Sequence, residues 1–300
     1  MKKIIVFGSN GLLGQSIVDR FCSDFEVIGA SRNAANKSLA KNIQYHQIDM
    51  TNRQEMDSLL QAEKPDIIIN CAAYTDVDGA ENDRELCWNT NVRAVENIID
   101  AAGLFKPVIV QVSTDYVFDG EAGDYRESDP VNPKGTYARS KMAAENILTS
   151  SQFEYIIART QVLYGYGNKV KLNFATWVIS RLSQNKSIRV VSDQKGNPTY
   201  IDDLSESIFQ LIEKHEFGLY HISGSEALTR FEFARRIARV FEFNSELIEK
   251  IHTEDLKQVA PRPMDSTFIL DKLINHINWI PGDIDSGLQR LKIKLNEYYG

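Results

Sequence analysis

Short runs with the look of strands alternate along the first part of the chain with longer stretches of helical periodicity. Ile4–Phe7, Phe25–Ala30, Tyr45–Asp49, Pro65–Asn70, Pro107–Val112 and Phe153–Arg159 are each four to seven residues long; the first is apolar throughout, and most of the others are built on a shorter apolar run. Continuous apolar runs of that length suit strands covered on both faces of a parallel sheet. Between them, apolar positions recur at helical spacing in 12–21, in 50–60, from about Asp83 to Phe105, and from Tyr137 to Leu148. Strand–helix alternation of this kind predicts an α/β fold with a doubly wound, parallel, Rossmann-type sheet. The pattern then changes. A helix over 175–184 and a short strand Ile188–Val191 precede a helix Ile201–Lys214 and a strand Gly218–Ser223 that returns to the sheet. Thr229 and Glu232 have capping-box spacing for a helix through Phe241, and 288–299 is amphipathic. The division expected is a sheet domain over 1–165, rejoined by 198–224, and a smaller C-terminal domain from 166–197 and 225–300. Phe231, Phe233, Phe241 and Phe243 are expected in the core of that smaller domain.

Composition narrows the classes of function. A formal charge of −7 argues against a nucleic-acid partner. The three cysteines, Cys22, Cys71 and Cys87, show no C-x-x-C spacing, and the five histidines form no ligand motif, so no metal site is expected. The apolar run near the start is too short for a signal peptide or a membrane span, and the chain is read as soluble, cytoplasmic and free of any membrane.

Candidate chemistry gathers at strand ends, where ligands of open α/β sheets collect. Gly8-Ser-Asn10-Gly11-Leu12-Leu13-Gly14 follows the first strand and opens the first helix, an arrangement that presents backbone N–H groups to a pyrophosphate. The second strand ends in Ser31-Arg32, with no acid for a ribose hydroxyl, so a 2′-phosphate is expected there and NADPH is preferred to NADH. Arg32 stacked on adenine, or solvated, is the alternative. Asp49 and Met50 end the third strand; Asp49 either accepts from an adenine amino group or serves the following helix. Cys71, Ala72, Ala73 and Tyr74 end the fourth with small residues that permit close approach of a cofactor. Ser113 and Thr114 end the fifth, and either hydroxyl can donate to a substrate carbonyl. Tyr137 and Lys141 stand four apart and share one helix face. A lysine ammonium there is expected to lower the tyrosine pKa and make Tyr137 a proton donor.

Taken together, GSNGLLG at Gly8, NCAAYTDVDGAE at Asn70, STDYVFDG at Ser113, YARSK at Tyr137, DQKGNPT at Asp193 and RPMDS at Arg262 resemble the dTDP-4-dehydrorhamnose reductase family of the extended short-chain dehydrogenase/reductase superfamily. The resemblance covers nearly the whole chain. It implies a dTDP-sugar substrate, reduction at the C4 ketone, and a C-terminal substrate-binding domain. It also implies catalytic roles for Thr114, Tyr137 and Lys141, the last also holding the nicotinamide ribose. Asp115, Tyr116, Asn173, Gln194 and Arg262 then fall on the substrate side, with Asn173 also readable as a helix N-cap. Some relatives are dimers bridged by Mg2+, but no acidic cluster can be assigned to such a bridge, and monomer and homodimer both stay open. Two departures stand out: Val162 where the family commonly has tryptophan, and Asp265 where it often has asparagine. A 4-epimerase or 4,6-dehydratase of the same superfamily, and a non-catalytic regulatory subunit like the β subunit of methionine adenosyltransferase, are the alternatives.

Overall fold

The computed structural model describes residues 1–36, 43–103 and 105–299. Seven parallel strands form its central sheet: β1 Lys3–Phe7, β2 Glu26–Ser31, β3 Gln44–Gln47, β4 Ile67–Asn70, β5 Val108–Thr114, β6 Tyr155–Thr160 and β7 Gly218–His221. Their order is β7-β6-β5-β4-β1-β2-β3. Successive side chains of a strand point to opposite faces, and both faces are covered here. Ile4 and Val6 pack into one buried cluster with Ile17, Leu204, Ile208 and Leu273. Ile5 and Phe7 pack into the other with Met56, Leu60, Ile98 and Leu148. The direction of winding reverses between β1 and β4, whose last paired residues are Phe7 and Asn70. Gly8 and Cys71 lie just beyond, in the crevice where such sheets hold ligands.

The structure departs from the sequence pattern in three places. β5 runs on through Ser113 and Thr114, which pair with Arg159 and Thr160 of β6. The third strand stops at Gln47, and Asp49 turns to accept from the Thr51 amide (2.9 Å) and hydroxyl (2.8 Å). The single helix expected from Asp83 to Phe105 is instead Arg84–Trp88, a π-helical turn Asn89–Arg93, and Ala94–Ala102. The wider turn carries Asn91 into the buried interior.

A third core lies outside the sheet. The helices Phe174–Leu182, Arg230–Phe241 and Ile284–Tyr299 enclose Tyr164, Val178, Leu182, Phe233, Ile237 and Leu288, with Phe231, Phe241 and Phe243 packed at its margin. Strand Ile188–Val191 pairs there in parallel with Ile248–Ile251. The capping box forms at Thr229: its hydroxyl accepts from the Glu232 amide (3.2 Å), and the Glu232 carboxylate accepts from the Thr229 amide (2.8 Å). Asn173 and Thr176 form a second one.

Candidate active site

The glycine turn is built for close approach. Gly8 has φ +76°, which side chains disfavour, and a Cβ there would lie 2.7 Å from the Ala72 amide nitrogen. A Cβ on Gly14 would lie 2.2 Å from the Gly8 carbonyl oxygen. Gly11 caps helix Leu12–Phe21 without a side-chain bond, and the first turn has no acid. The free N–H groups of that turn, together with the helix dipole, therefore suit a pyrophosphate. The Leu13 side chain belongs to the core, so only its backbone can serve a cofactor, whereas Leu12 is half-buried.

Around the turn, Asn10 ties the end of β2 to the segment that follows it. Its amide NH2 donates to Ala34 O (3.0 Å) and Tyr45 Oη (2.8 Å), its side-chain oxygen accepts from Asn36 N (3.1 Å), and its own N–H reaches Ser31 Oγ (3.3 Å). Arg32 is exposed, and its guanidinium has no ion pair among the described residues. That free cation beside Ser31 fits a 2′-phosphate. Met50 turns its side chain into the core, and one oxygen of Asp49 is held by Thr51.

Past β4, Cys71 donates its N–H to Phe7 O (3.0 Å), which lays Cys71–Tyr74 alongside the glycine turn. Burial pushes the Cys71 thiol up to about 12, so it stays protonated. Asn91 clamps the end of this loop. Its side-chain oxygen accepts from Tyr74 N (2.7 Å), and its NH2 donates to Tyr74 O (3.1 Å) and to Ser140 Oγ (2.9 Å). Ser140 lies on helix Thr136–Thr149 between Tyr137 and Lys141. Asn91 was not singled out from the sequence, because nothing local distinguishes it; only the π turn brings it here.

Thr114, Tyr137 and Lys141 meet at the end of β5. The Thr114 hydroxyl accepts from Tyr116 N (3.2 Å) and donates to Asp115 Oδ1 (3.1 Å), and a side-chain hydrogen bond links Thr114 and Tyr137. The Tyr116 ring stands edge-on to that of Tyr137, 5.9 Å between centroids. Ser113 is not the free hydroxyl at this strand end, since it donates to Glu145 (2.5 Å). The expected lowering of the Tyr137 pKa is corrected by the structure. Burial pushes the phenol above its usual value, the bond with Thr114 opposes this, and Lys141 is not among the groups that shift it. Lys141 instead donates to Val112 O (2.7 Å) and is itself pushed down to about 8 by burial, against the charge of Glu145. The phenol is therefore protonated near neutral pH, the form a proton donor needs.

Asp115 joins β5 to the C-terminal segments. It is 5% exposed and accepts from Ser266 Oγ (2.6 Å). Burial raises it to about 6, against the bonds from Ser266 and Thr114. Gln161, also buried, donates to Ser266 O (3.0 Å). Val162 next to it has φ +46°, a strained backbone for a β-branched residue. Of the other substrate-side residues, Asn173 donates to Gly165 O (2.8 Å) and caps its helix by accepting from Thr176 N (3.1 Å). Gln194 donates to Thr253 Oγ1 (3.0 Å), and Arg262 is paired with Asp78 (2.8 Å). Beyond Gly165, a cleft of about 660 Å³ is lined by Tyr166, Lys169, Lys171 and Phe241 among others. Among the described residues, no group of three or more His, Cys, Asp or Glu side chains could hold a metal ion, and no helix is long and apolar enough to cross a membrane.

Comparison with known proteins adds to this geometry. Residues 1–294 match a family described as the RmlD substrate binding domain. The chain is similar to the dTDP-4-dehydrorhamnose reductase of Aggregatibacter actinomycetemcomitans, 32% identical over 97% of this chain and 99% of that one. It is also similar to methionine adenosyltransferase 2 subunit beta of Xenopus tropicalis, 28% identical over 91% of this chain and 81% of that one. Among solved structures, dTDP-4-dehydrorhamnose reductase of Bacillus anthracis in complex with NADP superposes with a TM-score of 0.87 at 33% identity, covering 98% of this chain and all of that one.

Proposed function

The chain belongs to the RmlD substrate binding domain family, and from that premise we propose that it is an NADPH-dependent oxidoreductase that reduces the C4 ketone of dTDP-4-dehydro-L-rhamnose to dTDP-L-rhamnose. The observation that carries the reading is the bond between Thr114 and Tyr137 at the end of β5, with Lys141 anchored to Val112 of the same strand, beside a glycine turn shaped for a dinucleotide. NADPH, when bound, supplies the hydride. Gly8, Gly11, Gly14 and the first turn of the following helix would hold its pyrophosphate, and Ser31 and Arg32 its 2′-phosphate. Asn10 positions the segment after Arg32, Asp49 would accept from the adenine amino group, and Met50 backs the site from the core. Cys71, Ala72, Ala73 and Tyr74 would line the nicotinamide side, and Lys141 would hold the adjoining ribose.

On the substrate, Thr114 orients the ketone oxygen by a hydrogen bond, and Tyr137 delivers the proton to that oxygen. Without substrate Asp115 accepts the Thr114 hydroxyl hydrogen, and on substrate binding that hydrogen turns from Asp115 to the ketone oxygen. Tyr116, Asn173, Gln194 and Arg262 line the substrate side. The division of labour follows the chain: 1–165 with 198–224 bind the cofactor, and 166–197 with 225–300 bind the sugar nucleotide. The enzyme acts in the cytoplasm as a monomer or homodimer.

The test is the loss of reduced-nicotinamide absorbance with dTDP-4-dehydro-L-rhamnose, with the product's C4 configuration read by NMR. Turnover to dTDP-L-rhamnose is expected. Tight NADPH binding without turnover of any dTDP-4-keto sugar would instead favour a non-catalytic subunit that serves a partner enzyme, in line with the similarity to methionine adenosyltransferase 2 subunit beta.

A further inference from the structure

Two arginines reach the substrate side of the site, and their surroundings differ. Arg262, bracketed by Pro261 and Pro263, donates to Asp78 (2.8 Å) and to Ala260 O (2.9 Å), so its charge is compensated within the protein. Arg230 opens helix Arg230–Phe241 and is half-buried. Its backbone N–H is tied to Gln194 O (3.0 Å), which fixes where the side chain starts. Its guanidinium carbon lies 5.4 Å from the centroid of the Phe174 ring. Among the described residues, that guanidinium has no hydrogen bond or ion pair. The charged and polar groups it feels are Asp115, Tyr116 and Arg262. Asp115, which also accepts from Ser266 and Thr114, attracts Arg230 without bonding it, so the donors of the guanidinium are unused.

A guanidinium withdrawn from water with its donors unused is costly unless an anion meets it. Burial pushes the Arg230 pKa below its usual value and Arg262 pushes the same way, against Tyr116 and Asp115, and no acceptor among the described residues meets the guanidinium. Two guanidinium groups near enough to act on one another, one of them uncommitted, match a diphosphate better than a single carboxylate. The place is right as well: Asp115 and Tyr116 directly follow Thr114, and the Tyr116 ring touches the edge of Tyr137. We propose that Arg230 is the principal contact for the diphosphate of the nucleotide-sugar substrate, with Arg262 as its flanking partner. This assignment rests on the dTDP-sugar reading above and names the residue that selects the substrate's charged half.

The probe is dTDP itself, titrated calorimetrically into the NADPH-loaded protein. Replacing Arg230 by Ala should raise the Kd for dTDP by roughly 10- to 100-fold, as the loss of a charge-assisted contact does. Arg230→Lys should recover part of that loss, and the Kd for NADPH should stay at the wild-type value in both. If Arg230→Ala does not bind NADPH, Arg230→Gln keeps most of the stem over Phe174 and carries the same comparison. Wild type and variant binding dTDP equally well would overturn the role of Arg230 while leaving the reductase reading intact. A wild-type protein that binds NADPH but no dTDP would overturn the dTDP-sugar reading, and this assignment with it.

Discussion

Replacing Glu145 by glutamine tests how helix Thr136–Thr149 is held. Glu145 lies four residues beyond Lys141 and is 2% exposed. It receives Arg159 through three contacts of 2.7, 3.0 and 3.2 Å, and Ser113 through a fourth. The side chains of the pair are only 4% and 3% exposed, so the weak energies of surface ion pairs do not apply. Glutamine keeps the shape but removes the charge and turns an NH2 toward a donor. The Arg159 guanidinium is then left buried without its counter-ion, a defect that costs about 3–5 kcal/mol. In a chain of this size that corresponds to a fall in Tm of about 5–8 °C. Thermal and urea unfolding would measure it. The double replacement Glu145→Leu with Arg159→Met removes both charges and should recover much of the loss, because the penalty lies in the unpaired charge rather than in the missing bridge. A Glu145→Gln variant within about 1 kcal/mol of wild type would refute the reasoning, as would a double variant less stable than the single one. Glu145 also acts against the downward push on Lys141, so the alkaline fall in activity should move to lower pH in Glu145→Gln.

Three further outcomes follow from the same geometry. Tyr137→Phe should lower kcat by about 10²- to 10⁴-fold, the usual worth of a positioned proton donor, with little change in NADPH affinity; wild-type turnover would remove Tyr137 from that role. Arg32→Ala should weaken NADPH by roughly 10- to 100-fold and leave NADH alone, narrowing the preference between them; an unchanged ratio of kcat/KM values would show that no 2′-phosphate is held there. The pH profile should carry the ionisation of Lys141. Its folded pKa is depressed to about 8, and the ammonium is the competent form, so kcat/KM should fall as pH rises through about 8. A profile flat up to the ordinary lysine range near about 10 would place the functional pKa elsewhere.

Much of the architecture is legible in local spacing. Strands of a parallel sheet must be apolar on both faces, so Ile4–Phe7 announces itself without any knowledge of its neighbours. The turn from Gly8 to Gly14 is dictated by the space that backbone atoms leave, and the Thr229 capping box needs only residues within one helical turn. Tyr137 and Lys141 share a helix face for the same reason. Interactions over a few residues thus account for the elements, their buried faces, the glycine turn and the order of the candidate groups along the chain. The tertiary structure alone decided how those groups are charged and held. Asp115 meets Ser266 across 151 positions, and Arg262 meets Asp78 across 184. The π turn brings Asn91 to Tyr74 and Ser140. Burial, rather than the lysine four residues away, sets the state of the Tyr137 phenol. Ionisation depends on desolvation and on partners brought from distant segments, and neither exists until the chain has folded around the site.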